Sequence, residues 1–301
     1  MDYGEVKKMI HMSRGEKVFS LFNYGFMVLL LVLMLYPFWY LFMGSISDAK
    51  LAAGGGLFLI PAGFSLDAYK AILNNSSFLS SLKTTVIVTL AGTFLGTFFT
   101  ATTAYAISKK RLRGGGLVSF LILFTMLFNG GLVPSYLLVK MLGMMNTYWA
   151  LILPNLLSAF NIFVMRSFFK GIPDTLEEAA KIDGANDLTI FFKIVLPLSK
   201  PVLATIGLFI AVFYWNDFFS TILYISDKEK WQLQAFLRDI ISNTAQVVKS
   251  SGGVGMGMQS SVSEFTVRMA SIIVATLPIL VVYPFLQKHF AKGAMIGSIK
   301  G

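Results

Sequence analysis

The chain has 301 residues, 55% of them hydrophobic and 13% charged, with a net charge of +10 and no cysteine. Soluble domains carry about 25% charged residues, so this composition excludes an ordinary soluble fold and points to an all-α polytopic membrane protein. Without cysteine there is no disulfide, thiol redox chemistry or Cys-ligated metal, and His11 and His289, near opposite ends, suggest no His-based metal or catalytic site.

A basic N-terminal tail, residues 1–17, precedes the first apolar run, 18–47. That run is too long for the apolar part of a cleavable signal, and no clear small-residue cleavage site follows it. Residues 48–82 form a long loop with Gly54-Gly55-Gly56, Pro61 and Asn74-Asn75-Ser76-Ser77, in which Leu66-Asp67-Ala68-Tyr69 starts a short interfacial helix. Apolar runs follow at 84–108, 114–139, 141–165, 201–226 and 269–287, each near or above the roughly 20 residues a spanning helix needs. Six spans are therefore expected within a transmembrane domain at 18–288, followed by a tail at 289–301.

Most of the 25 Lys and Arg fall on one side of this arrangement: the N-terminal tail, Lys109–Arg113, the charged segment 170–199 and the C-terminal tail. The positive-inside rule makes that side, and both termini, cytoplasmic. The positive charge thus reads as membrane orientation rather than nucleic-acid binding. The outer side carries loops 48–82 and 227–267. The second holds Trp231 and a Gly/Ser stretch with Gly252, Gly253, Gly255 and Met256, a composition that gives a mobile loop. It is either a bare linker or a loop that reaches an extracellular partner.

Within the charged segment, Asp174 fits a helix cap, with Glu177 as the reciprocal partner of a capping box. The helix continues through Glu178, Ala179 and Ala180, and Gly184 is placed to end it in the left-handed conformation. After Asp183, Gly184 and Ala185, a second short helix is expected, with Leu188, Phe191, Phe192 and Val195 at helical spacing. Ile194 and Leu196 lie near its end, and Pro197 stops it before the next span. Two short helices around a Gly turn make a compact knob. Ala179 and Ala180 allow close approach of a partner, and Glu178 offers it a carboxylate. The plainer reading is a charged loop packed only on its own protein.

The full spacing, Glu178-Ala179-Ala180, three residues, Gly184, nine residues, then Ile194, Leu196 and Pro197, resembles the coupling loop of permease subunits of ATP-driven (ABC-type) bacterial importers. The chain is similar to type I importer permeases, and within them to the second permease of maltose-type carbohydrate systems in a Gram-positive subgroup associated with complex oligosaccharides. Tyr36-Pro37-Phe38-Trp39-Tyr40, Ala104-Tyr105-Ala106, Phe124-Thr125-Met126-Leu127 with Gly130, Gly131 and Pro134, Trp215-Asn216-Asp217-Phe218 and the tail at 292–301 carry the likeness over nearly the whole length.

The resemblance implies a second homologous permease, a pair of ATPase subunits docked on the knob, and an extracellular lipid-anchored solute-binding protein. It also implies residence in the bacterial cytoplasmic membrane among its lipids. ATP and Mg²⁺ would be bound by the ATPases and no cofactor by this chain. Arg113-Gly114-Gly115-Gly116 lacks the Gly-Lys-Ser/Thr ending of a phosphate-binding loop. The chain is expected to be a non-catalytic subunit, its tail at 295–301 reaching the ATPase.

Asp217 is the one carboxylate inside an expected span, and such a group faces the bundle interior by default. With Tyr214, Trp215 and Asn216 it suits a carbohydrate path or gate, since aromatic faces stack on sugar rings and Asn and Asp bond hydroxyls. It equally suits an interhelical tie. Asn161, Thr100, Thr102 and Thr103 are weaker candidates of the same kind. A membrane enzyme would need convergent acids, bases or metal ligands, and an ion-coupled secondary transporter several intramembrane charges. The sequence supplies neither set. A non-sugar solute carried by the same machinery stays open.

Overall fold

The computed structural model describes residues 14–52, 56–240, 265–278 and 280–281. All the regular elements among them are helical. The Gly252–Met256 loop segment and the C-terminal tail lie outside the described residues.

The chain divides into two units. The smaller comprises residues 1–70 and 258–273. Its main element is α1 (Arg14–Ser45), a helix of 32 residues that keeps Pro37 inside it and is apolar on all faces. Such a helix has no polar side to show to water, which suits a lipid environment. After α1 the chain folds back: Asp48 N donates to Ala62 O (3.0 Å), Trp39 Nε1 to Leu59 O (2.9 Å), and Ala62 N to Ser47 Oγ (3.1 Å). Met43, Ala52 and Phe58 form a small core with Tyr40 and Phe265. The short helix expected near Leu66 is present as α2 (Asp67–Leu73).

The larger unit, residues 71–257 and 274–301, is organised around α3 (Ser76–Ser108). This helix starts eight residues before the expected span, because Asn75 Oδ1 accepts from Phe78 N (3.0 Å) and caps it. Asn75-Ser76-Ser77 therefore belongs to a helix start.

The third, fourth and fifth apolar runs are broken. The third becomes α4 (Gly115–Leu127) and α5 (Leu132–Met141), bent by 114° at Asn129-Gly130-Gly131, where Gly131 has φ +87° and Asn129 Oδ1 accepts from Gly131 N. The fourth becomes α6 (Tyr148–Asn155) and α7 (Ala159–Lys170), with a 54° bend after Pro154. The charged segment forms α8 (Asp174–Ile182) and α9 (Asp187–Leu198). At Ser199 the chain turns by 82° into α10 (Lys200–Asn216).

Pro197 therefore does not end the second short helix. It sits in the last turn of α9, and the break comes two residues later. Phe191–Val195 within α9 is a π-helical turn, and it rotates the face that the spacing assigned: Ile190, Phe191 and Val195 are buried, while Leu188 and Phe192 are exposed. The fifth run ends as a helix at Asn216, and Asp217 stands between α10 and α11 (Phe219–Tyr224). The last run begins as α12 (Phe265–Pro278), four residues earlier than expected.

α3 packs along α7 and α10. Their shared core holds Val88, Ala101, Ala104, Leu151, Met165, Phe169, Ile206, Ile210 and Tyr214, and reaches into the charged segment through Ala180, Ile190, Phe191 and Val195. Close approach of α3 and α10 depends on Gly92 and Gly96, four residues apart on one face of α3. A Cβ on Gly92 would stand 2.4 Å from the Tyr214 ring, and one on Gly96 would stand 3.1 Å from Leu156 O. The first part of the second long loop is ordered on this core. Leu233 N donates to Thr85 Oγ1 (2.7 Å), Gln232 Nε2 to Tyr214 O (2.9 Å), and Ser80 Oγ to Glu229 O (2.6 Å).

Candidate functional site

The knob is built as a helical turn unit whose two sides differ. α8 begins at Asp174 after Pro173, and no side chain caps it. The capping box expected from Asp174 and Glu177 is absent, because Pro173 takes the cap position, which puts Asp174 inside the first turn, and Glu177 is turned to a cation on the turn after α3. Glu177 pairs with Lys109, and Asp174 Oδ2 lies 3.7 Å from Lys110 Nζ. Arg111 pairs with Asp187 at the start of α9, and this hydrogen bond holds the guanidinium pKa above its ordinary value. Lys109 and Arg111 thus fasten the two helices of the knob to the end of α3, and the exposed Lys110–Asp174 contact adds little. The sequence reading counted them only as an orientation signal.

Gly184 behaves as the spacing requires. It has φ +80°, its N–H donates to Lys181 O (3.0 Å), and Ala185 N donates to Ala180 O (2.9 Å). These are the two bonds of a helix end closed by a left-handed residue. Asn186 Oδ1 then caps α9 by accepting from Thr189 N (2.8 Å).

The signature residues separate by side. Glu177 and Ala180 point inward, Glu177 to Lys109 and Ala180 into the core, so Ala180 offers no surface for a partner. Ile194, Leu196 and Ala185 are half-buried against the same core. Glu178, Ala179, Asp183, Gly184 and Pro197 are exposed. Beside them stand Leu176, Ile182 and Leu188, the last two 87% and 68% exposed. The outer side of the knob is therefore a small apolar strip with the carboxylate of Glu178, which makes no ion pair among the described residues, at its edge. Arg166, on α7, lies beneath: its Nε donates to Ile107 O (3.1 Å) near the end of α3 and satisfies a helix-terminal carbonyl.

The residues proposed for a path through the membrane face different ways. Tyr214 is fully buried, with its hydroxyl donating to Ile152 O (2.9 Å). Trp215 Nε1 donates to Ala275 O (3.3 Å), and Asn216 Nδ2 to Val212 O (2.8 Å). Asp217 Oδ1 accepts from Ser220 N (3.1 Å), the second residue of α11, while Oδ2 is enclosed with no hydrogen-bond partner among the described residues. The aromatic rings of Tyr214 and Trp215 do not form one sugar-stacking face.

Asn161 is buried, Thr100 keeps a buried hydroxyl without a partner among the described residues, and Thr102 bonds back to Phe98 and Phe99 carbonyls. Asn146 was not anticipated. At φ +61°, its Oδ1 accepts from Ser226 N and Asp227 N, tying the α5–α6 turn to the outer loop. An Asn in a turn is the residue type that tolerates this conformation. Among the described residues, no three His, Cys, Asp or Glu come together in a set that could hold a metal ion.

A helical bundle with broken spans and a fastened knob between two of them defines a membrane transport component. Residues 104–295 match the family of binding-protein-dependent transport system inner membrane components, and the chain belongs to that family. Among its relatives is the polygalacturonan/rhamnogalacturonan transport system permease YtcP of Bacillus subtilis, 47% identical over 95% of this chain and 99% of that protein. Protein LplC of the same organism is 44% identical over 97% and 98%. A solved bacterial ABC transporter involved in import of the acidic polysaccharide alginate contains a chain that superposes with a TM-score of 0.86 at 34% identity, covering 93% of this chain and 99% of that one.

Proposed function

We propose that this chain is one of two permease subunits of an ATP-driven importer of oligosaccharides in the bacterial cytoplasmic membrane. It crosses the membrane six times with both ends in the cytoplasm, forms half of the translocation path, and receives the stroke of a cytosolic ATPase pair through α8 and α9. ATP and Mg²⁺ bind to the ATPases, and a lipid-anchored binding protein delivers the sugar from outside.

One observation carries the coupling role. The inner side of the knob is fixed to the bundle by the Lys109–Glu177 pair and the Ala180 contact, while its outer side presents Leu176, Ala179, Ile182, Leu188 and the carboxylate of Glu178. An apolar strip on a charged turn suits a protein partner, and a knob braced to α3 moves the spans when it is pushed. The sugar class is supported by relatives named for polygalacturonan/rhamnogalacturonan transport and alginate import. Oligosaccharides rich in uronic acids are therefore the first substrates to test.

The test is gentle affinity purification from native membranes with the stoichiometry of co-purifying chains. One copy of a second permease and two of an ATPase are expected, with the binding protein recovered when its sugar is present. Recovery of this chain alone, or only with itself, would favour an ion-coupled secondary transporter.

A further inference from the structure

Beside the knob, the ends of α3, α4 and α7 and one side of α8 line a cleft of about 580 Å³ that carries more positive charge than its own ion pairs neutralise. Six cations line it against three carboxylates, Asp174, Glu177 and Glu178, with Asp187 just outside it. Lys109 and Lys110 are matched by Glu177 and Asp174, and Arg111 by Asp187. Lys170 and Lys181 have no ion-pair partner among the described residues, and Arg166, whose Nε donates to Ile107 O and whose guanidinium lies 5.9 Å from the Phe163 ring, forms no ion pair among them. Gly115 and Gly116 line another part of the wall, and a Cβ on Gly116 would meet nothing within 4 Å, so the cleft is open on that side.

The neighbouring surface is apolar. α4 starts at this wall and buries none of its side chains, with Leu117, Phe120, Leu121 and Phe124 exposed along it. A cationic cleft at the ends of spanning helices, continuous with an apolar helix face, matches a ligand with a phosphate at one end and hydrocarbon at the other. Basic pockets between helix ends on the cytoplasmic side have this affinity for anionic headgroups.

We propose that this cleft is a binding site for an anionic phospholipid of the inner leaflet. The phosphodiester would sit by Arg166, Lys170 and Lys181, and the acyl chains would lie along α4. The lipid would thereby brace the turn that holds the knob. The proposal rests on the orientation given under the proposed function.

The test uses the complete transporter in nanodiscs of phosphatidylglycerol mixed with phosphatidylcholine, or of phosphatidylcholine alone. Native mass spectrometry then counts retained lipid, and an amine-reactive reagent probes Lys170. Phosphatidylglycerol should be retained and should protect Lys170, whereas phosphatidylcholine should do neither. Each cation contributes about fivefold to affinity for an anionic headgroup. Lys170→Gln with Lys181→Gln should therefore lower retention by roughly twenty-five-fold, and Lys170→Arg should preserve it.

Equal retention in wild type and the double variant would overturn the proposal. So would Lys170 protection in phosphatidylcholine that vanishes when the ATPase is stripped away, since the ATPase would then be the occupant. A membrane-impermeant amine reagent that labels Lys170 from outside intact cells would instead refute the orientation, which separates that failure from failure of the lipid site.

Discussion

Lys109, the first residue beyond α3, forms an ion pair with Glu177 in the first turn of α8, and the two side chains are only 16% and 9% exposed. The ammonium also lies 4.6 Å from the centroid of the Tyr105 ring, so the cation is held from two directions. The contact joins the central helix of the bundle to the helix that begins the knob.

Removing one member of this pair leaves a largely buried charge without its partner. Lys109→Met or Glu177→Leu alone should destabilise the protein by about 2–4 kcal/mol, and the double substitution by less than their sum. Thermal unfolding of the purified complex, run as a double-mutant cycle, measures this. Strict additivity would show that the pair contributes nothing.

The Gly92–Tyr214 approach predicts a steric dependence. Gly92→Ala should cost about 1–3 kcal/mol, because the ring that the new methyl meets is enclosed and its hydroxyl is tied to Ile152 O. Tyr214→Leu should restore part of the loss by making room, whereas Tyr214→Phe should restore none. Stability scans of the two double variants separate crowding from loss of the hydrogen bond.

The outer side of the knob should be sensitive to charge. Glu178→Lys is expected to reduce uptake to background with normal membrane insertion, since Glu178 makes no ion pair among the described residues and the proposed ATPase contact would meet the inverted charge. Gly184→Val should fail differently. A β-branched residue resists φ +80°, at a cost of roughly 1–2 kcal/mol, so the α8–α9 turn itself distorts, while Gly184→Asn should retain function. Uptake in vesicles alongside membrane content checks both, and wild-type uptake by Glu178→Lys would refute the coupling role.

Asp217 separates structure from passage. Asp217→Asn keeps an oxygen for Ser220 N, whereas Asp217→Ala removes this helix-start bond and should cost about 1 kcal/mol. If Asp217 is only a structural tie, Asp217→Asn should transport normally. Loss of uptake in that variant with unchanged stability would place its enclosed second oxygen on the substrate path.

The knob shows how far local chemistry carries. The Glu178-Ala179-Ala180 run, the Gly184 turn and the short helices on either side follow from residue type and spacing, because a left-handed helix end is a local property of glycine. The capping box did not form, since Pro173 holds the cap position and Lys109, more than sixty residues earlier, draws Glu177 away from the helix start. Likewise Leu188 and Phe192 fit a regular helical face, but the π turn at Phe191–Val195 rotates Ile190 inward in their place.

Sequence by itself determined the membrane class, the all-helical fold and the position of the knob, since these follow from apolar run length and from Gly and Pro placement. Tertiary structure alone decided the angles of the bends in the third and fourth apolar runs, the divergence of Tyr214, Trp215, Asn216 and Asp217, and the pairing of the knob with Lys109 and Arg111. Side-chain directions depend on which neighbour supplies a carbonyl or a carboxylate. For Tyr214, Trp215, Lys109 and Arg111 those partners lie tens of residues away in the chain, beyond the reach of any local pattern.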